Sequence, residues 1–229
     1  MSEIICSVAI DGPAGAGKST IAKAAAARYG FIYVDTGAIY RTVGLAAKRA
    51  GVEPRDEAGV LDLLPTLSIR FDYGEDGAQR MFLNGEDVSA LIRTPEISMY
   101  ASAVSAIPGV RAYLLDMQRN MAKTTSVVMD GRDIGTVVLP DAGLKIFLTA
   151  SVEERAKRRL AELAAKGDPS TYEEVLADMA QRDENDTNRA AAPLRAAEDA
   201  VRVDTSALTL EESIEHICAL IEERFSLGA

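Results

Sequence analysis

Residues 8–20 join three things that rarely adjoin by accident: an apolar run, a glycine-rich turn and a helix-forming stretch. The apolar run is Ile4-Ile5-Cys6-Ser7-Val8-Ala9-Ile10, of buried-strand length, and the stretch Ile21-Ala22-Lys23-Ala24-Ala25-Ala26-Ala27-Arg28 is strong helix former throughout. Between them Gly12 to Ser19 fit the pattern G-x-x-x-x-G-K-[ST]. A strand that turns through glycines directly into a helix commits the chain to an α/β fold built outward from that turn. The pattern also carries chemistry. Gly12, Gly15 and Gly17 let the backbone wrap a polyphosphate with its N–H groups turned inward, and the start of the helix adds its positive dipole end. Gly12, Pro13, Ala14, Gly15, Ala16, Gly17, Lys18, Ser19 and Thr20 therefore form the expected nucleotide-binding loop. Lys18 is placed to reach the β- and γ-phosphates, and the Ser19 hydroxyl to ligate Mg²⁺. The loop implies a nucleoside triphosphate and leaves open what is done with it.

Charge narrows the partners. The chain has 229 residues and a formal net charge of −10, which argues against a nucleic-acid-binding surface and makes phosphate chemistry depend on local clusters of cations. No apolar stretch approaches the roughly 20 residues needed to span a bilayer, and the N-terminus shows no export signal. The two cysteines, Cys6 in the first strand and Cys218 in the last helix, read as reduced, buried thiols of a cytoplasmic protein.

Further apolar runs of strand length recur at Phe31–Val34, Val127–Met129, Leu144–Leu148 and Ala200–Val203, separated by helical patterns, as in a parallel sheet covered on both faces. Helix starts are signalled by Thr94-Pro95 and by the capping-box spacings Ser151…Glu154, Ser170…Glu173 and Thr209…Glu212. Two segments interrupt the alternation. Residues 66–90 alternate as an antiparallel insertion: Ser68–Tyr73, a turn at Gly74-Glu75-Asp76-Gly77, then Gln79–Leu83 before Asn84-Gly85. Residues 166–198, starting at Lys166-Gly167-Asp168-Pro169, are polar and charged and sit where a mobile lid would lie. The expected organisation is a core of 1–65, 91–165 and 199–229, with the insertion and the lid between.

Beyond the loop, Asp35 ends the second strand at the sheet edge where open α/β folds bind ligands, with Thr36 and Arg41 about the start of the next helix. Val127-Val128-Met129-Asp130-Gly131-Arg132-Asp133-Ile134-Gly135 is sharper: a buried strand ends in Asp130, as in a Walker-B arrangement, and Arg132 and Asp133 follow together. Arg155, Arg158 and Arg159 share one side of a helix, and Arg182, Asp186 and Arg189 form one stripe on the lid helix, although intrahelical ion pairing gives the same spacings. His216, the single histidine, lies far from every motif and reads as structural; no His/Cys cluster suggests zinc.

Taken together these residues resemble the nucleoside monophosphate kinases and, within them, the bacterial-type cytidylate kinases, over nearly the whole chain. The resemblance runs through Asp11–Thr20, Asp35–Arg41, Asp130–Thr136, Arg182-Asp183…Asp186…Arg189, and an insertion segment from Leu83–Val88 through Ile92–Pro95. It implies a P-loop kinase with a five-stranded parallel sheet, a small antiparallel β insertion for the monophosphate and a helical lid. The implied reaction is Mg²⁺-dependent transfer of the ATP γ-phosphoryl group to CMP or dCMP, by a monomer. It assigns Thr36, Arg41, Arg132 and Arg189 to the acceptor phosphate, and Ser102, Arg111 and Asp133 to the cytosine edge. Arg182 and Asp186 fall near the sugar, and Lys18, Arg132, Arg189, Arg158 and Asp130 form the catalytic set. Ser102 and Arg111 match through a looser pattern than the rest. Two other readings stand beside it. One is a kinase for another small acceptor. The other is a GTP-dependent switch, which should carry an Asn-Lys-x-Asp motif that this sequence lacks.

Overall fold

The N-terminal apolar run forms strand β1 (Ser7–Asp11), in which Val8, Ala9 and Ile10 are wholly buried. Apolar residues at successive positions belong in a strand covered on both faces, and β1 lies in the middle of a five-stranded sheet. The other strands of the sheet are β2 (Ile32–Asp35), β6 (Val127–Gly131), β7 (Leu144–Thr149) and β8 (Val201–Asp204), in the order β2-β6-β1-β7-β8. The pairings of β1 with β6 and β7, and of β7 with β8, are parallel. In register, Asp11 stands opposite Gly131 on one side and Phe147 on the other, so the loops after β1 and β6 leave the same sheet edge.

This computed structural model describes residues 5–74, 77–165 and 167–227. Ile4, the Glu75-Asp76 pair of the expected turn and Lys166 lie outside the described residues. The chain divides into two compact units, one running up to Tyr33 and resuming at Thr124, the other spanning Val34–Lys123.

In the first unit, α1 (Lys18–Tyr29) and α8 (Leu210–Phe225) pack with the central strands, burying Ile21, Ala22, Ala25, Ile146, Ile217 and Ile221. The alanines of α1 let it lie close, and each large aliphatic side chain so buried contributes about 1.5–3 kcal/mol. Thr209 and Glu212 cap α8 reciprocally, as their spacing predicts. α6 (Val152–Ala164) and α7 (Tyr172–Asn188) pack on each other through Ala156, Val175 and Met179. Cys6, which precedes β1 rather than lying in it, and Cys218 are both buried.

In the second unit, α2 (Thr36–Arg49), α3 (Glu57–Leu63), α4 (Pro95–Val104) and α5 (Pro108–Thr124) surround a core that includes Ile39, Val43, Val60, Ile92 and Leu114. Thr94 caps α4 ahead of Pro95 as expected. The insertion is a three-stranded antiparallel sheet of β3 (Ile69–Tyr73), β4 (Gln79–Leu83) and β5 (Glu86–Asp87). Inward-facing Met81 and Leu83 anchor it in the same core, and its short third strand has too little sequence to announce itself.

Two sequence expectations are corrected in the lid region. The capping box of α7 is Thr171…Glu174, one residue beyond Ser170…Glu173. Ser170 is engaged by Asp168, whose Oδ1 accepts from both its backbone N–H and its hydroxyl, leaving Thr171 to start the helix. The stripe Arg182–Asp186–Arg189 is also broken: α7 ends at Asn188, and Arg189 has an extended backbone at φ −63°, ψ 139°.

Candidate active site

The glycines of the loop after β1 are there for space as well as for conformation. Gly12 has φ +152°, and a Cβ there would stand 1.9 Å from the Leu148 carbonyl oxygen, so no side chain fits. Gly17 has φ +86° and caps the N-terminus of α1. α1 begins at Lys18, so its first backbone N–H groups face back toward the loop. The Lys18 ammonium, buried, donates to the Pro13 carbonyl at 2.6 Å across the loop. Burial and, next, the Arg132 guanidinium pull Lys18 well below its ordinary pKa, against the opposing pull of Asp130 and Asp11. An ammonium so placed gains charge stabilisation from an incoming polyphosphate.

The end of β6 supplies the opposite charge. Ser19 Oγ donates to Asp130 Oδ2 at 2.8 Å, and Tyr33 Oη donates to Asp130 Oδ1 at 3.0 Å. A hydroxyl and a carboxylate held together at the loop are hard oxygen donors of the kind Mg²⁺ takes, so these residues fit that ion.

Beyond Asp130 the chain makes a single π-turn (Ile134–Val138), whose first N–H groups need partners. Asp11 provides them: Oδ1 accepts from Ile134 N and Oδ2 from Gly135 N, both at 2.7 Å. Burial pushes the Asp11 carboxyl up to about 6, against the lowering effect of these two bonds. Just ahead of this turn, Arg132 and Asp133 meet Asp186 of α7 and Arg189 beyond its end. Arg132 Nε donates to Asp186 Oδ2 at 2.8 Å, and Arg189 Nη2 donates to Asp133 Oδ1 at 3.4 Å. Burial works to raise Asp186, but the Arg132 charge and hydrogen bond, with Arg182 and Arg189 behind, hold it below the usual carboxylate range. Arg189 Nε also donates to the Ala192 carbonyl at 2.6 Å.

Of the three arginines on α6, the one that meets the loop is Arg155. It is 4% exposed and donates to Ala150 O at 2.9 Å, to Ala14 O at 3.0 Å and to both Asp183 oxygens. Arg158, which the resemblance assigns to the catalytic set, donates to the carbonyl of Thr205 at 2.7 Å and to its Oγ1 at 3.3 Å. Arg159 pairs with Glu162 on the surface.

The first unit thus brings together Lys18, Ser19, Asp130, Arg132, Asp133, Arg182, Asp186 and Arg189 through these bonds and through the charges acting on Lys18 and Asp186. The sequence reading passed over Asp11, Tyr33, Asp183 and the separate role of Arg155. Only Asp11, an acid at the strand end beside Gly12, carried a local signal.

In the second unit, Asp35 caps α2, its Oδ1 accepting from Ala38 N at 2.9 Å and its Oδ2 from Arg41 Nη2 at 2.8 Å. Thr36, the first residue of α2, is buried. Ser102 lies on α4, and Arg111 on α5, where its guanidinium donates to Ser105 O at 3.1 Å and lies 5.4 Å from the centre of the Tyr40 ring. Among the described residues no group of three or more His, Cys, Asp or Glu is placed to hold a metal ion, and no helix is long and apolar enough to cross a membrane.

The family model described as Cytidylate kinase matches residues 8–223. A cytidylate kinase of Geobacter sulfurreducens is 52% identical over 217 residues, covering 95% of this chain and 93% of that protein. One from Caldicellulosiruptor bescii is 51% identical over 213 residues, covering 93% of this chain and 94% of its own. Among solved structures, an uncharacterized protein from Eubacterium ventriosum shares the fold, with a TM-score of 0.54 at 13% identity over 96% of this chain and all of that one. A family model that matches residues 8–223 and relatives about 50% identical over nearly the whole chain show that this protein belongs to the cytidylate kinase family.

Proposed function

We propose that this protein transfers the γ-phosphoryl group of ATP to CMP or dCMP, giving ADP and CDP or dCDP. The observation that carries the reading is the gathering of Lys18, Arg132, Arg182 and Arg189 with Asp130 and Ser19 about the loop after β1. The bond between the γ-phosphorus and the β,γ-bridging oxygen breaks as a bond to an acceptor phosphate oxygen forms. Positioning and charge stabilisation, rather than covalent chemistry by the protein, carry such a transfer.

Lys18, Arg132 and Arg189 each have a protein partner to exchange for a phosphate oxygen. Lys18 leaves the Pro13 carbonyl for the donor phosphates, while Arg132 and Arg189 turn from Asp186 and Asp133 to the phosphates. In the second unit we assign Thr36 and Arg41 to the acceptor phosphate and Ser102 and Arg111 to the cytosine edge. In the first unit Asp133 joins the base readers, and Arg182 and Asp186 are assigned to the sugar. Ser19, with Asp130, would hold Mg²⁺, which would supply charge neutralisation to the phosphate oxygens. Residues 166–198 act as the lid and exclude water, suppressing ATP hydrolysis. Arg158, bound to Thr205, supports the root of that lid. The protein works on small nucleotides as a monomer in the cytoplasm, and its net charge of −10 disfavours nucleic acid.

A panel of acceptors tests the reading. With ATP as donor, ADP release is expected to be fastest with CMP and dCMP; preference for UMP or AMP overturns the base assignment.

A further inference from the structure

The β insertion has a chemical task as well as a share in the core. Gln79, the first residue of β4, is 7% exposed, and its amide reaches a residue 44 positions earlier in the chain. Its Oε1 accepts from the Asp35 backbone N–H at 2.9 Å, and its Nε2 donates to the Asp35 carbonyl at 3.3 Å. One side chain thus takes both backbone groups of one residue, reproducing the double exchange of an antiparallel ladder pair. The amide has a defined orientation, since the reverse would set Nε2 against the Asp35 N–H, donor against donor.

Asp35 is where that grip matters. Both of its carboxylate oxygens are in use, one on the start of α2 and the other on Arg41. With its backbone held by Gln79, the carboxylate fixes the Arg41 guanidinium across the face of Gly37, where a Cβ would stand 2.9 Å from Arg41 Nη1. Arg41 Nε is buried and has no hydrogen-bond partner among the described residues. A buried guanidinium N–H without an acceptor points to a ligand that brings one.

We propose that Gln79 is a positioning residue for the acceptor phosphate: the insertion supplies an amide that locks Asp35, so that Arg41 holds its open Nε–H toward a phosphate oxygen. This rests on the assignment of Arg41 to that phosphate. It gives the insertion a specific purpose, and it makes Gln79 matter for the acceptor and not for ATP.

Steady-state kinetics on Gln79→Met, Gln79→Glu and Arg41→Ala test it, with thermal melting to verify folding. Gln79→Met keeps the side chain's length and packing but removes both hydrogen bonds, and Gln79→Glu keeps the acceptor oxygen and loses the donor. Each is expected to raise KM for CMP about tenfold, the loss of a net hydrogen bond, with kcat and KM for ATP changed less than about twofold. In the Arg41→Ala background Gln79→Met is expected to add nothing further to KM for CMP. If Arg41→Ala raises KM for CMP while both Gln79 variants leave it unchanged, or if they raise KM for ATP equally, the role of Gln79 is overturned. If Arg41→Ala itself leaves KM for CMP unchanged, the assignment of Arg41 fails first, and the inference with it.

Discussion

Arg155 grips Asp183 at both oxygens, Nη1 to Oδ1 at 3.2 Å and Nη2 to Oδ2 at 2.5 Å, while the same Nη1 donates to the Ala14 carbonyl. One guanidinium therefore ties the loop after β1 to α7. The planar fork with five donors makes this possible, and a lysine in its place would satisfy only part of it.

Arg155→Ala is expected to lower stability by about 3 kcal/mol, because it leaves a buried carbonyl and a carboxylate without their partner. Asp183→Asn, at a side chain 25% exposed, is expected to cost less than about 1 kcal/mol. Both loosen α7 from the loop, so, on the proposed role of residues 166–198 in excluding water, ATP hydrolysis without acceptor should rise relative to transfer. Chemical denaturation and a comparison of ADP release with and without CMP check the two effects.

Asp11 and Asp186 should respond to pH with opposite signs. Burial raises Asp11 from an ordinary 3.8 to about 6, so its contribution is fully present below pH 4 and is lost as pH rises through 6. A displacement of that size corresponds to about 3 kcal/mol. The melting temperature of the natural protein relative to Asp11→Asn should therefore fall between pH 4 and 6. Asp186 is held low by Arg132, so its contribution is present above the ordinary carboxylate pKa and is lost as pH falls below it. Relative to Asp186→Asn, the natural protein should lose stability on acidification. Parallel melting curves across that range would contradict both.

Lys18→Ala and Arg189→Ala should each reduce kcat about 100-fold or more while the far-ultraviolet circular dichroism and melting cooperativity remain. Near-normal turnover in folded Arg189→Ala would remove that residue from the site.

What the sequence made legible was local. Apolar runs, the glycine turn and the caps at Thr94 and Thr209 are decided by neighbours a few residues apart, and they appear where the spacing predicts. Of the lid, two adjacent frames matched one capping box, and only the Asp168–Ser170 contact chose between them. Among Arg155, Arg158 and Arg159 the spacing is shared, and what separates them is which side of α6 is covered, a property of the packing. Asp11 with Ile134 spans 123 residues and Gln79 with Asp35 spans 44, so no window of sequence contains either pair. The residues assigned to the phosphates were visible as motifs; the residues that hold them in place were not.

Phosphorus-31 NMR of the protein with Mg²⁺, ATP and CMP tests the central claim most directly. The account predicts that ADP and CDP appear in equal amounts, with little inorganic phosphate, and that replacing CMP by UMP or AMP slows the reaction markedly. Inorganic phosphate as the main product, or faster diphosphate formation from UMP or AMP than from CMP, would contradict it.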